Sequence, residues 1–232
     1  MILWVGKVRG SINKVSTKRN TINIYKFITG SLAVAGVAVL GITATTYADD
    51  VTELTQVIDA GVLSTDVIDA SGNTVANPTI TFPVKTQEAS VQTSNATYPS
   101  GTNRALVSNP GATSAWRLQL QAEDGEGALW ERDGGGATFD YNGTAAQGQM
   151  TIDATSGTAT LATLHGTATG ITQQASPQAF AAAPNHVLDI LTASGGVMWE
   201  GYLTGINISQ TIPAGQAAGT YRINLLQTVV TP

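Results

Sequence analysis

Apolar and polar residues alternate in short runs along most of this chain. Ile80, Phe82 and Val84 alternate with Thr79, Thr81 and Pro83, and Trp116, Leu118, Leu120 and Ala122 alternate with Arg117, Gln119 and Gln121. Near the end, Tyr221, Ile223, Leu225, Gln227 and Val229 alternate with Arg222, Asn224, Leu226, Thr228 and Val230. A period of two sends successive side chains to opposite faces of a pleated strand, so each run predicts a half-buried β-strand. Turn-forming clusters such as ASGN, SNPGA, EDGEG, RDGGG, YNGT and ASGG interrupt the runs at short intervals. That rhythm predicts an all-β protein over residues 49–232, a single antiparallel β-sandwich of immunoglobulin-like or jelly-roll-like type, rather than βαβ units. SPQAFAAAPN (176–185) is the one helix-like patch, and Pro184 limits it to a short turn. A strand through Ile206, Ile208 and Ile212, a Pro213–Gly215 loop and a long strand from Thr220 read as a terminal hairpin.

The first 48 residues follow a different pattern. Residues 27–44, FITGSLAVAGVAVLGITA, are uncharged and largely apolar, and a lead with six basic residues and no acid precedes them. Thr46 and Ala48 fall at the −3 and −1 positions of a small-residue cleavage site before Asp49. Residues 1–48 therefore predict a signal helix that is removed on export. The competing reading is an uncleaved membrane anchor, since the apolar run approaches bilayer-spanning length.

Charge is divided at the same boundary. From Asp49 onward, five basic residues face all 16 acidic ones, a net charge of −11. Such a body repels nucleic acid and anionic lipid, so neither is expected as a partner, and membrane contact is expected only through an uncleaved N-terminus. The chain has no cysteine, and its size is sufficient to bury a core without disulfides.

Candidate chemistry is sparse. His165 and His186 are the only histidines, and the nucleophile elbow, zinc-protease and phosphate-loop motifs are missing. Asp189 and Glu200 are carboxylates of the type a glycosidase pairs, but no spacing links them. Calcium is the better candidate: Asp124, Glu126, Asp140, Asn142 and Asp153 offer hard oxygen ligands on glycine-containing loops. The same residues are those that turns prefer for local reasons. Among the tryptophans, Trp116 and Trp199 share faces with leucines and are expected in the core. Trp130, beside the charged RDGGG loop, is expected to be partly exposed and to be the ring that would stack on a glycan or partner.

Trp116-Arg117-Leu118, following a turn in NPGATSAWRLQLQAEDG, and the closing IPAGQAAGTYRINLLQTVVTP together resemble the WxL domain of bacterial cell-surface proteins. The layout is also similar to uncharacterised surface proteins of candidate-phylum bacteria. The resemblance implies an exported all-β body attached non-covalently to the cell wall, with Trp116, Leu118 and Tyr221 as structural residues. It also implies a second Trp six residues after Tyr221, where this chain carries Gln227.

These observations predict a secreted, non-enzymatic protein of the bacterial surface or envelope, wall-associated or adhesive, with cell-wall polymer or other surface proteins as partners. The alternative is self-assembly into an extracellular fibre or pilus, with residues 51–67 added as a strand to a neighbouring copy. A wall-polymer hydrolase is the weaker alternative, because it needs a cleft with converging carboxylates.

Overall fold

The alternating run at Trp116–Ala122 becomes a strand, and so does most of the one near the C-terminus. A computed structural model describes residues 55–56, 61–111 and 114–232. The signal or anchor segment (1–48) and most of the stretch from 49 to 60 lie outside those residues. A compact unit runs from Gln56 to Pro232.

Among the described residues the elements are β1 (Ser64–Ile68), β2 (Gln92–Tyr98), β3 (Arg104–Asn109), β4 (Trp116–Ala122), β5 (Leu129–Arg132) and β6 (Thr138–Asp140). There follow β7 (Met150–Asp153), β8 (Thr160–Gly166), β9 (Ile171–Gln173), β10 (Gln178–Ala179) and β11 (Val187–Ala193). The last four are β12 (Trp199–Thr204), β13 (Ile206–Ile212), β14 (Tyr221–Arg222) and β15 (Leu225–Val230). Every pairing is antiparallel. The fold is all-β, with a single 3-10 turn at Gly125–Gly127 among the described residues.

The strands form sheets ordered β1-β3-β12-β8, β10-β7-β13-β2, β15-β4-β11-β9 and β14-β5-β6. The first two are continuous with each other. β12 and β13 are one long strand bent at Gly205, whose φ of +75° is open to glycine at little cost. Along one side, β12 pairs with β3 and β13 with β2, while residues 99–103 loop out between them. Along the other, β12 pairs with β8 and β13 with β7, and residues 154–159 loop out. The other two sheets repeat this device. β4 and β5 run against β15 and β14, and Glu123 N–H bonded to Asn224 O carries the ladder across the break.

Side chains from both bent sheets meet in the core. Trp116 on β4 stacks on Trp199 of β12, ring centroids 5.9 Å apart and planes 20° from parallel. Leu118, Leu120 and Ala122 continue the buried face of β4, as the alternation predicts. Burying each such large side chain stabilises the fold by about 1.5–3 kcal/mol. Gly201, next but one to Trp199, has no room for a side chain. A methyl group there would overlap the Trp199 ring and the Ala162 carbonyl oxygen.

Three expectations are corrected. Residues 79–86 form no strand, and Val84 is 98% exposed; Ile80 and Phe82 still face the core from an extended segment. SPQAFAAAPN forms no helix, and the expected short turn is confined to its end, where Asn185 N–H donates to Ala182 O at 3.2 Å. Gln178 and Ala179 pair with β7, and this pins the adjacent Phe180, fully buried against Tyr141, into the core. The last two long runs are not a hairpin: β13 joins β2 and β7, whereas the run from Thr220 divides between β5 and β4 in the opposite layer.

The bent sheets leave edges that are closed in different ways. β1 and β15 lie at neighbouring edges, tied by Gln227 on β15. Its Nε2 donates to Thr65 Oγ1 (2.6 Å) and Asp66 O (3.2 Å), and its Oε1 accepts from the Tyr98 hydroxyl. The outer side of β2 meets the 79–88 segment, through Ser94 Oγ to Pro83 O and Gln92 Nε2 to Thr86 O. β9 and β10 are short.

Candidate functional site

A polar groove of about 840 Å³ opens at the β5–β6 end of the domain, lined by Asp124, Glu131, Arg132, Asp133, the glycines 134–136, Arg222 and Asn224 among others. All three glycines have positive φ, between +84° and +92°, which lets the chain turn tightly from β5 into β6. Arg132 is held in place here. Its Nε donates to Gly135 O (3.2 Å), and its aliphatic stem lies so close to Gly219 that a Cβ there would meet Cδ. Opposite, Arg222 makes two bonds to Asp133, Nε to Oδ1 at 2.8 Å and Nη2 to Oδ2 at 3.0 Å. That paired guanidinium holds the Asp133 carboxyl below its ordinary range. Fixed guanidinium donors beside the carboxylates of Asp124 and Glu131 suit hydroxyl and amide groups of a polar ligand.

Trp130 lies beneath this groove and not on it, which corrects the expected exposure. Its ring is buried, stacked on Phe139 at 5.7 Å and met edge-on by Phe82. Its Nε1–H donates to the buried Gln210 Oε1 at 2.9 Å. The side chain takes part in joining the two layers and presents no free face for a sugar. Tyr221, next to the groove, is structural: its ring meets Phe139 and its hydroxyl donates to Ala217 O.

The five proposed calcium ligands do not form one centre. Asp124 lines the groove. Glu126 is occupied by loop contacts: its carboxylate accepts from Ala183 N–H, and its backbone carbonyl accepts from Asn142 Nδ2 (2.9 Å). Asp140, on β6, accepts from Gln210 Nε2 through its backbone carbonyl. Asp153 closes the 154–159 loop, accepting from Thr155 N–H, Thr155 Oγ1 and Thr158 Oγ1. Burial alone would raise its carboxyl, but these bonds outweigh burial and hold it below the ordinary range. Among the described residues no three His, Asp or Glu side chains are grouped to hold a metal ion. The acidic loop residues serve turns and loop–loop contacts.

The carboxylates considered for glycoside chemistry are separated as well. Asp189 on β11 accepts from Arg117 Nη1 (3.0 Å) and Gln119 Nε2 (2.7 Å), whereas Glu200 lies in the opposite layer across from His165. Sequence reading noted Gln227 only as the residue in place of a second tryptophan and did not single out Gln210; both are polar side chains that tie the layers. The only sign of either was a glutamine at an inward-facing position of an otherwise apolar alternation.

Comparison of this chain with protein families, curated proteins and solved structures gives no match.

Proposed function

We propose that this chain is an exported, non-enzymatic β-sandwich that works at the bacterial surface, associated non-covalently with cell-wall polymer. One observation carries the reading: the two segments that resemble a wall-associated domain, far apart in sequence, fold as adjacent strands. Val229 lies opposite Leu118 and Gln227 opposite Leu120 in the β4–β15 ladder. The resemblance thus falls on one structural unit. Gln227 occupies the position of the missing tryptophan and points into a hydrogen-bonded tie, so on this reading the wall contact uses polar groups elsewhere, with the β5–β6 groove as the candidate surface. Arg132, Glu131 and Asp124 would hydrogen-bond polymer hydroxyls and amides.

The fibre alternative is less well supported, because Ser64–Val67, the end of the segment assigned to a neighbour (51–67), is paired internally with β3. Co-sedimentation of the purified chain with isolated cell walls tests the proposal. The chain should pellet with walls and be released by competing soluble wall fragments. A chain that stays in the supernatant at every salt concentration overturns the reading.

A further inference from the structure

Among the described residues, no strand lies along the outer edge of β8. β8 closes the β1-β3-β12-β8 sheet, and among the described residues no backbone hydrogen bond reaches it from any strand but β12. The outer edges of β2 and β15 carry no backbone ladder either, but side-chain ties hold a segment against each: Gln227 joins β15 to β1, and Gln92 and Ser94 join β2 to residues 83–86. β8 has none of the lysines or prolines that usually guard a free edge. Its single irregularity is a bulge at Leu164, where the register against Glu200 and Gly201 shifts. Leu164 and Met198, 43% and 60% exposed, lie at the same end of the sheet.

We propose that the outer edge of β8 docks the β8 edge of a second copy, antiparallel, to form a two-fold dimer with a continuous sheet. Charge selects the occupant. From Asp49 on the chain carries −11, so copies repel over most of their surface, yet Thr160–Gly166 contains no formally charged residue other than a histidine. The acidic 49–60 segment, with Asp49, Asp50, Glu53 and Asp59, would instead bring carboxylates to the strand beside Glu200. Matching a strand with itself also equalises length and register under a two-fold axis. Because the two-fold pairing uses the same β8 edge of both copies, the assembly closes at two copies and does not propagate.

The test is sedimentation of the full chain, recovered from exporting cells, over a range of concentrations. The chain should be a dimer in equilibrium with monomer. The proposed register counts the Leu164 bulge as an extra residue and places Thr160 of one copy opposite His165 of the other, so in the Thr160→Lys/His165→Lys variant the lysines of the two copies face each other and association should weaken about tenfold or more. Position 165 lies opposite Glu200 within its own sheet, so a lysine replacing His165 gains an acidic neighbour there. The thermal midpoint should therefore hold, which separates lost docking from lost folding. As a second readout, the chain has no native cysteine, so Thr160→Cys/His165→Cys should form an oxidised dimer and Val84→Cys, on an exposed loop, should not. A chain that is monomeric throughout, one that forms open-ended polymers, or a dimer indifferent to the lysines would each overturn the proposal.

Discussion

Replacing Trp130 separates a core role from a ligand-stacking role. Trp130→Ala removes a buried indole that stacks on Phe139 and meets Phe82, and deletions of this type cost about 3–5 kcal/mol. It also leaves Gln210 Oε1 buried without the Nε1–H donor at 2.9 Å, worth about 1–3 kcal/mol more. The sum, about 4–8 kcal/mol, approaches the whole stability of a typical domain, about 5–15 kcal/mol. Trp130→Phe keeps the stack and loses the donor, so its cost should lie near the second figure alone. Urea unfolding followed by circular dichroism measures both variants. The expected order is wild type, then Phe, then Ala, with Ala close to unfolded. An Ala variant within about 1 kcal/mol of wild type would refute the core assignment. Weaker wall binding by the Phe variant at unchanged stability would return the ring to the surface.

Three further outcomes follow. Burial pushes the Tyr98 hydroxyl well above the usual phenol range, while in the unfolded chain it ionises near pH 10. Its contribution to stability is therefore complete below about pH 10 and is lost above it by about 1.4 kcal/mol per pH unit, and Tyr98→Phe should flatten that alkaline slope in pH-dependent unfolding. Gly201→Ala should abolish cooperative unfolding or lower stability by more than about 2 kcal/mol, because the added methyl overlaps the Trp199 ring and a backbone carbonyl; a thermal midpoint equal to wild type would contradict the close approach. A chelator should leave the thermal midpoint unmoved, and a rise in midpoint with added calcium would restore a metal site to the fold.

The parts of this fold that can be read in the sequence are those set by near neighbours. Strict alternation fixes the inward face of Trp116–Ala122, because a one-residue slip would expose the tryptophan and both leucines. Trp199, Gly201 and Leu203 are legible for the same reason. Pairings set by distant residues are not. The bend at Gly205 and the crossing of the chain between β14 and β15 depend on strands far away in sequence, so the local pattern suggests a hairpin where two layers exist. Trp130 misleads because its sequence neighbours are charged. The residues that bury it, Phe82 and Phe139, belong to other segments, and only its alternation with Glu131 points inward. The acidic loops show the opposite error. Their composition matches a metal site, but each carboxylate or carbonyl already receives a loop donor or lies apart from the others.

The tie at Gln227 also sets the order in which this chain can be completed. Thr65, Asp66 and Tyr98, near the start of the folded unit, find their common partner only in its last strand. β4 likewise waits for β15 to supply the whole of one side of its ladder. A chain delivered N-terminus first, from a ribosome or through a membrane pore, must hold its tryptophan-rich interior open until nearly every residue has emerged. The late strand acts as a latch in time as well as in space. On the proposal that this chain is exported, the position of its own last strand keeps it from locking before passage is complete.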